Sequence, residues 1–247
     1  MIVDKLLGRT ICVGSWCQVG HPANAEILAR SGFEWLAADC EHGEIEDGDL
    51  GNFCRAVRQH AVAPLVRVRE NAPLPIRRAL DLGAAGVIVP LVNDAAGARR
   101  AVAASNYPPT GIRGFAWQRG NHWGADFDTY AAEFRPVVVV MIESREAVEH
   151  AEAIAAVDGI HACLVGPYDL SGSYGIPGQT NHTLVHDACR RVSEACARRG
   201  KSAGLHLVAP NRENVHGAIE QGYTFLALGM DTHFLAQGAS SARGLLP

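Results

Sequence analysis

Val137-Val138-Val139-Val140-Met141-Ile142 runs straight into Glu143, and Ala162-Cys163-Leu164-Val165 runs into Gly166-Pro167-Tyr168-Asp169. Continuous apolar runs of this length read as strands buried on both faces, the signature of parallel sheet. Burying a lone carboxylate costs several kcal/mol, so an acid at the end of a buried strand calls for a partner. The two acids stand 26 residues apart, the span of one strand–helix–strand step, so they are expected side by side on neighbouring parallel strands. Two adjacent hard oxygen ligands suit a divalent cation.

Outward from this pair, one cadence repeats: amphipathic stretch, glycine, short apolar run. Ala25–Arg30 is followed by Gly32 and then Trp35–Ala38. Ile76, Ala79 and Leu80 fall at helical spacing before Gly83 and Val87–Val89. Val185, Ala188, Cys189 and Val192 mark one helix face ahead of Gly200 and Ala203–Leu207. Pro210 opens a helix that Gly222 closes before Phe225–Leu228. Proline in the first turn and glycine past the last are helix punctuation. Eight runs emerge, at about 11–16, 35–39, 63–68, 86–90, 137–142, 161–166, 202–207 and 224–229. Eight strands alternating with helices predict an α/β fold, a single (β/α)8 barrel over residues 1–247. A doubly wound open sheet is the competing arrangement; the absence of GxGxxG after the first strand and of a Walker A sequence speaks against it.

The bulk numbers agree. The chain has 247 residues, 48% hydrophobic and 19% charged, with net charge −4. No Lys/Arg run points to nucleic acid or an anionic membrane. The seven cysteines include no CxxC pair; they read as reduced core residues, not a disulfide framework or zinc site. The opening residues do not read as a signal peptide, and no apolar run approaches the roughly 20 residues of a membrane span. A cytoplasmic location is expected.

In such barrels the active site lies at the C-terminal ends of the strands. Following each run, Trp16 ends the first strand, Asp39 the second with Glu41 and His42 behind it, and Arg67 lies in the third. Glu143 ends the fifth, Asp169 follows the sixth, His206 lies in the seventh and Asp231 follows the eighth. Each has a bland explanation: acids serve as helix caps, Trp16 as core, His42 as surface. Together they converge on one rim. Asp39 is placed to hold the His42 ring and tautomer, as a base is usually oriented. Arg67 in a buried strand needs an anion. The turn at Gly166, Pro167 and Tyr168, with the helix start behind it, is expected to offer backbone N–H groups to a carboxylate or phosphate. A metal, an anion-binding turn and an arginine describe a site for a small oxo-acid, with the metal as Lewis acid stabilising an enolate. The irregular segment Asn106–Gly124 is long enough to be functional; Arg119, Asn121 and His122 are its candidates for touching the variable end of the substrate.

These residues, read as motifs, resemble the HpcH/HpaI aldolases. The matches are D-x-E-H at Asp39–His42, P-x-V-R at Pro64–Arg67, YPPxGxRG at Tyr107–Gly114, IE at Ile142-Glu143 and VGPYDLS at Val165–Ser171. They run in order through nearly the whole chain. The resemblance implies a barrel of the phosphoenolpyruvate/pyruvate type. It implies class II aldolase chemistry of the 4-hydroxy-2-oxoheptanedioate or 2-dehydro-3-deoxyglucarate kind: a 4-hydroxy-2-oxoacid cleaved reversibly to pyruvate and an aldehyde. Carried over by position, Glu143 and Asp169 would hold Mg2+ or Mn2+, with Co2+ also suited. Arg67 would stabilise the enolate and the Gly166–Asp169 amides would receive the carboxylate. His42 would work with Asp81, the latter from a neighbouring subunit of a homo-oligomer, a hexamer or trimer. Two positions depart from the pattern: Met141 stands where a glutamine is familiar, and His206 where an aliphatic residue is, which suggests a more polar aldehyde half. Competing functions within the same chemistry are oxaloacetate decarboxylation and CoA-ester cleavage. Outside it stands a non-catalytic barrel that binds an oxo-acid.

Overall fold

The computed structural model describes residues 2–246. Eight parallel strands close on themselves in sequence order: β1 Cys12–Cys17, β2 Trp35–Asp39, β3 Ala63–Arg67, β4 Gly86–Val89, β5 Val137–Ile142, β6 Ala162–Val165, β7 Ser202–Leu207 and β8 Tyr223–Met230. The seam is closed by parallel pairing of β1 with β8. The barrel expected from the eight apolar runs is therefore present, and the open sheet is excluded.

The helices are α1 Ile2–Leu7, α2 Pro22–Ala29, α3 Asp47–Arg58, α4 Pro73–Asp81, α5 Ala95–Ser105, α6 Phe127–Glu133, α7 Arg145–Glu149, α8 Ala151–Ala155, α9 Pro167–Ser173, α10 Thr183–Arg198, α11 Arg212–Glu220 and α12 Asp231–Arg243. Local chemistry sets their starts. Proline opens α2, α4 and α9, where a missing N–H costs nothing. Asp94 and Ser144 accept hydrogen bonds from first-turn amides of α5 and α7.

The strands bury both faces because two cores need them. Leu36, Ala38, Val66, Val87, Val89, Val138, Val140 and Ile142 pack outward against the helices. Trp35, Ala37, Leu65, Ile88, Val137, Val139, Met141, Leu164 and Phe225 fill the barrel interior. Volumes alternate there: Gly14 leaves its Cβ space to the Trp35 indole, and Trp35 stacks on Phe225 at 4.5 Å. The period of two along each strand carries the inward series Val137, Val139, Met141 to Glu143 at the mouth. In the same way Trp35 and Ala37 lead to Asp39, and Leu65 leads to Arg67.

Chain direction corrects one expectation. Each helix returns the chain from the mouth to the opposite, N-terminal end of the barrel. The Asn106–Gly124 segment follows α5 and precedes β5, so it lies at that far end, not at the mouth. It is also less irregular than expected: Arg119–Gly124 forms a short 3₁₀ segment. Arg113 anchors it, buried, with its guanidinium on Asp81 at 2.8 Å and over the Tyr107 ring at 4.6 Å. Among the described residues, no helix is long and apolar enough to cross a membrane, and all seven cysteines are free.

Candidate active site

Glu143 is a buried carboxylate of the mouth, only 6% exposed. Its Oε1 accepts the Leu91 amide at 2.6 Å. Burial pushes its pKa up to about 7; the Leu91 amide pulls the other way, and the nearby charges of Glu41 and Asp169 add to the rise. Gly166 follows the adjacent strand β6 and caps α9. A Cβ there would stand 3.2 Å from Asp169 Oδ2 and 3.4 Å from Glu143 Oε2. Both carboxylates thus face one small hollow that exists because residue 166 has no side chain. The expected juxtaposition of the two acids is present.

Arg67 is held across the mouth. Its Nε and Nη2 donate to the two oxygens of Asp39 at 2.8 and 2.6 Å. Its Nε lies 3.4 Å from Glu41, and its guanidinium lies 4.7 Å over the Trp16 ring. Burial alone would raise the Asp39 pKa, but Arg67 outweighs it and holds the carboxyl below the usual range. Asp39 also accepts the amides of Glu41 and His42 at 3.2 and 3.1 Å and the Gln18 side chain at 3.1 Å.

This changes the role expected for Asp39. It meets the backbone of His42, not the ring, because its oxygens are already taken by a bidentate guanidinium fork, the stronger partner. The His42 ring is 63% exposed and, among the described residues, pairs with Glu41 at 3.6 Å. Glu41, expected at the rim but given no role there, links His42, Arg67 and the acid pair. Its Oε2 is buried without a hydrogen-bond partner. Its place inside the D-x-E-H motif was the signal for it.

Asp81 lies at the end of α4, at the far end of the barrel, bound to Arg113. Within one chain it does not join His42. Arg119 is likewise at the far end, its Nη1 on the Leu82 carbonyl at 3.0 Å, so it does not line the mouth of its own barrel. Asn121 is buried in local turns, receiving the Gln118 and Gly124 amides, and His122 pairs with Asp126.

The turn before α9 offers less than expected. The Gly166 amide donates to Ile142 O at 3.2 Å, and Pro167 has no N–H. Only the first-turn amides of Tyr168 and Asp169 lack an intrahelical acceptor. The Tyr168 side chain is exposed and its hydroxyl lies toward Gly178.

His206 packs at 5.7 Å from Trp16, with Nε2 3.3 Å from Gly229 O. A carbonyl can only accept, so Nε2 carries the proton and Nδ1 is free to accept. Burial lowers the His206 pKa to about 4, with Arg67 contributing in the same direction; the ring is neutral near pH 7. Trp16 is buried with its Nε1 lacking a partner. Asp231 is structural: it receives the amides of Gln18, Val19 and Thr232, tying β1 to α12. Among the described residues no group of three or more metal-ligating side chains gathers; the acid pair is a two-ligand set.

The sequence pattern of the HpcH/HpaI aldolase/citrate lyase family matches residues 13–238. A 5-keto-4-deoxy-D-glucarate aldolase of Klebsiella pneumoniae is 36% identical over 92% of this chain and 88% of its own length. A solved HpcH/HpaI aldolase/citrate lyase family protein from Burkholderia cenocepacia superposes with TM-score 0.94 at 29% identity, covering 99% of this chain and 98% of that one. The citrate synthase SbnG superposes with TM-score 0.86 at 29% identity over 99% and 96%.

Proposed function

The chain belongs to the HpcH/HpaI aldolase/citrate lyase family, whose aldolase relatives are carbon–carbon lyases. On that premise we propose that residues 1–247 form one class II aldolase barrel. It cleaves a 4-hydroxy-2-oxoacid reversibly to pyruvate, or a close 2-oxoacid, and an aldehyde. The observation that carries the reading is the hollow at Gly166, faced by Glu143 Oε2 and Asp169 Oδ2 and overlooked by Arg67. A pair of hard carboxylates with space before them fits a cation of the Mg2+ or Mn2+ kind, which is commonly held by one or two carboxylates and keeps its other positions for water and substrate. Co2+ fits the same donors.

When bound there, the cation supplies Lewis acidity toward the 2-oxo oxygen and its carboxylate. The remaining work falls to the chain. The Asp39 fork fixes Arg67, so its outward N–H groups and its charge are fixed near the position where enolate charge develops; such preorganised charge is worth more in a water-poor site than in solution. The orphaned Trp16 indole N–H and the accepting Nδ1 of His206 form the polar wall for the aldehyde half. His42, exposed at the rim, is placed to move the proton of the 4-hydroxyl. Glu41 Oε2 lies 3.6 Å from its Nε2.

His42 lacks the aspartate expected beside it, and Asp81 lies at the far end of its own barrel. A complete site then needs Asp81 of a second copy, so the working form is a homo-oligomer. The free thiols fit a reducing, cytoplasmic setting.

The test needs no knowledge of the aldehyde. Pyruvate methyl protons are followed by NMR in D2O with and without Mg2+ or Mn2+. Metal-dependent exchange is expected, falling at least about 100-fold in E143Q. Equal exchange in chelator, or in E143Q, would contradict the assignment.

A further inference from the structure

We infer a second, anion-binding site at the N-terminal end of the barrel, formed by Arg55, Arg58 and Arg119, for a small dianion of phosphate or dicarboxylate type. The three line one cleft of about 230 Å³ together with Gly120, His122 and Trp123. It lies across the barrel from Glu143 and Asp169, and the inference does not depend on the activity proposed above.

Twelve of the chain's 20 arginines form no ion pair among the described residues, and three of these, Arg55, Arg58 and Arg119, share one cleft. Arg67, Arg69, Arg78, Arg113, Arg145, Arg190, Arg198 and Arg199 each meet a carboxylate. Among the described residues, Arg55, Arg58 and Arg119 meet none. Each is instead steadied by a neutral oxygen: Asn52 Oδ1 at 2.8 Å for Arg55, Gly83 O at 3.0 Å for Arg58 and Leu82 O at 3.0 Å for Arg119. One contact apiece orients the guanidinium and leaves its other N–H groups free. Three like charges share one cleft and form no ion pair among the described residues, in a chain whose net charge is −4. Burial and the charges of Arg55 and Arg58 hold the Arg119 guanidinium below its ordinary value.

The cleft is built rather than incidental. Gly83, at φ +104°, takes a backbone region that other residues rarely adopt, and a Cβ there would occupy the space of the Arg119 guanidinium. His122 and Trp123, on the cleft wall, both have positive φ, 52° and 57°, a conformation that costs a non-glycine residue energy and clusters at functional sites. Two acids close in sequence to the cleft residues are already paired, Asp126 with His122 and Asp81 with Arg113. Planar guanidinium forks match the paired oxygens of phosphate and carboxylate.

The experiment uses full-length protein kept metal-free with EDTA, titrated separately with inorganic phosphate and with succinate. Melting temperature and, for phosphate, the 31P line width are followed, with NaCl at matched ionic strength as the control. A saturable response to at least one anion, beyond that of NaCl, is expected. The anion that responds identifies the source chemistry. R58Q and R55Q, at exposed positions, should each weaken it about tenfold, while E143Q leaves it unchanged. A response no greater than that of NaCl would overturn the inference. So would unchanged affinity in the R55Q/R58Q double variant, or loss of the response in E143Q, which would place the anion at the mouth.

Discussion

At Gly166 the missing side chain leaves open the space before Glu143 and Asp169 that the proposed cation would take. A methyl group there would touch both Asp169 Oδ2 and Glu143, yet its φ of −104° is open to any residue. Gly166→Ala is therefore expected to fold with near-normal stability and bind Mn2+ at least about tenfold more weakly, read by Mn2+ electron paramagnetic resonance titration. At His206 the sign of the pH effect is fixed by burial. Its folded pKa of about 4 lies below the unfolded value near 6.5. Between those values the unfolded chain binds a proton that the folded chain refuses. Stability is thus full above about pH 6.5 and falls as pH drops toward 4, by up to about 3 kcal/mol from this group. Urea unfolding at pH 7.5 and pH 5 should show a smaller loss in His206→Gln than in the native chain. An equal loss would assign the acid sensitivity to the carboxylates instead.

Strands explain what could be read in advance. β2 spans Trp35–Asp39 and β5 Val137–Ile142, the bounds expected from their apolar runs. Such runs register burial on two faces, a local property. The same period of two brought Glu143, Asp39 and Arg67 to one mouth. What failed was choice of partner: Asp39 could hold His42 or Arg67, and spacing cannot weigh a bidentate guanidinium against an imidazole. The loop was given no location, although sequence order contained it, since a segment between a helix and the next strand belongs to the N-terminal end. Length and composition had suggested function without location. The arginine cleft joins α3, the turn after α4 and the 3₁₀ segment, a meeting no local pattern records. Gly14 in β1 shows how tightly strands are matched inside the barrel. Gly14→Ala would drive a methyl group into Trp35, and a loss of roughly 1–3 kcal/mol is expected from thermal unfolding.

The whole molecule divides its chemistry between two ends. The mouth holds His42 and the acid pair; the far end holds Asp81. α12 buries only Asp231 among its residues and leaves Leu235 73% exposed. Both features fit the homo-oligomer proposed above. His42→Ala and Asp81→Asn, each inactive alone, should regain a fraction of the native rate when unfolded together and refolded as mixed oligomers. Absence of recovery, with both variants folded and oligomeric by light scattering, would place the whole acid–base apparatus in one chain.

The packing of Trp35 also gives the protein an optical signature. Its four tryptophans divide evenly: Trp117 and Trp123 face solvent, while Trp16 and Trp35 lie inside the barrel, 6.2 Å apart and almost perpendicular. Fixed, asymmetric indoles couple their transitions, whereas mobile surface indoles average theirs away. The near-ultraviolet circular dichroism band should therefore report the barrel interior alone. Acrylamide should quench roughly half the emission first, leaving a blue-shifted remainder from beside Arg67. Without any label, a ligand entering the mouth would be visible as a change in that remainder.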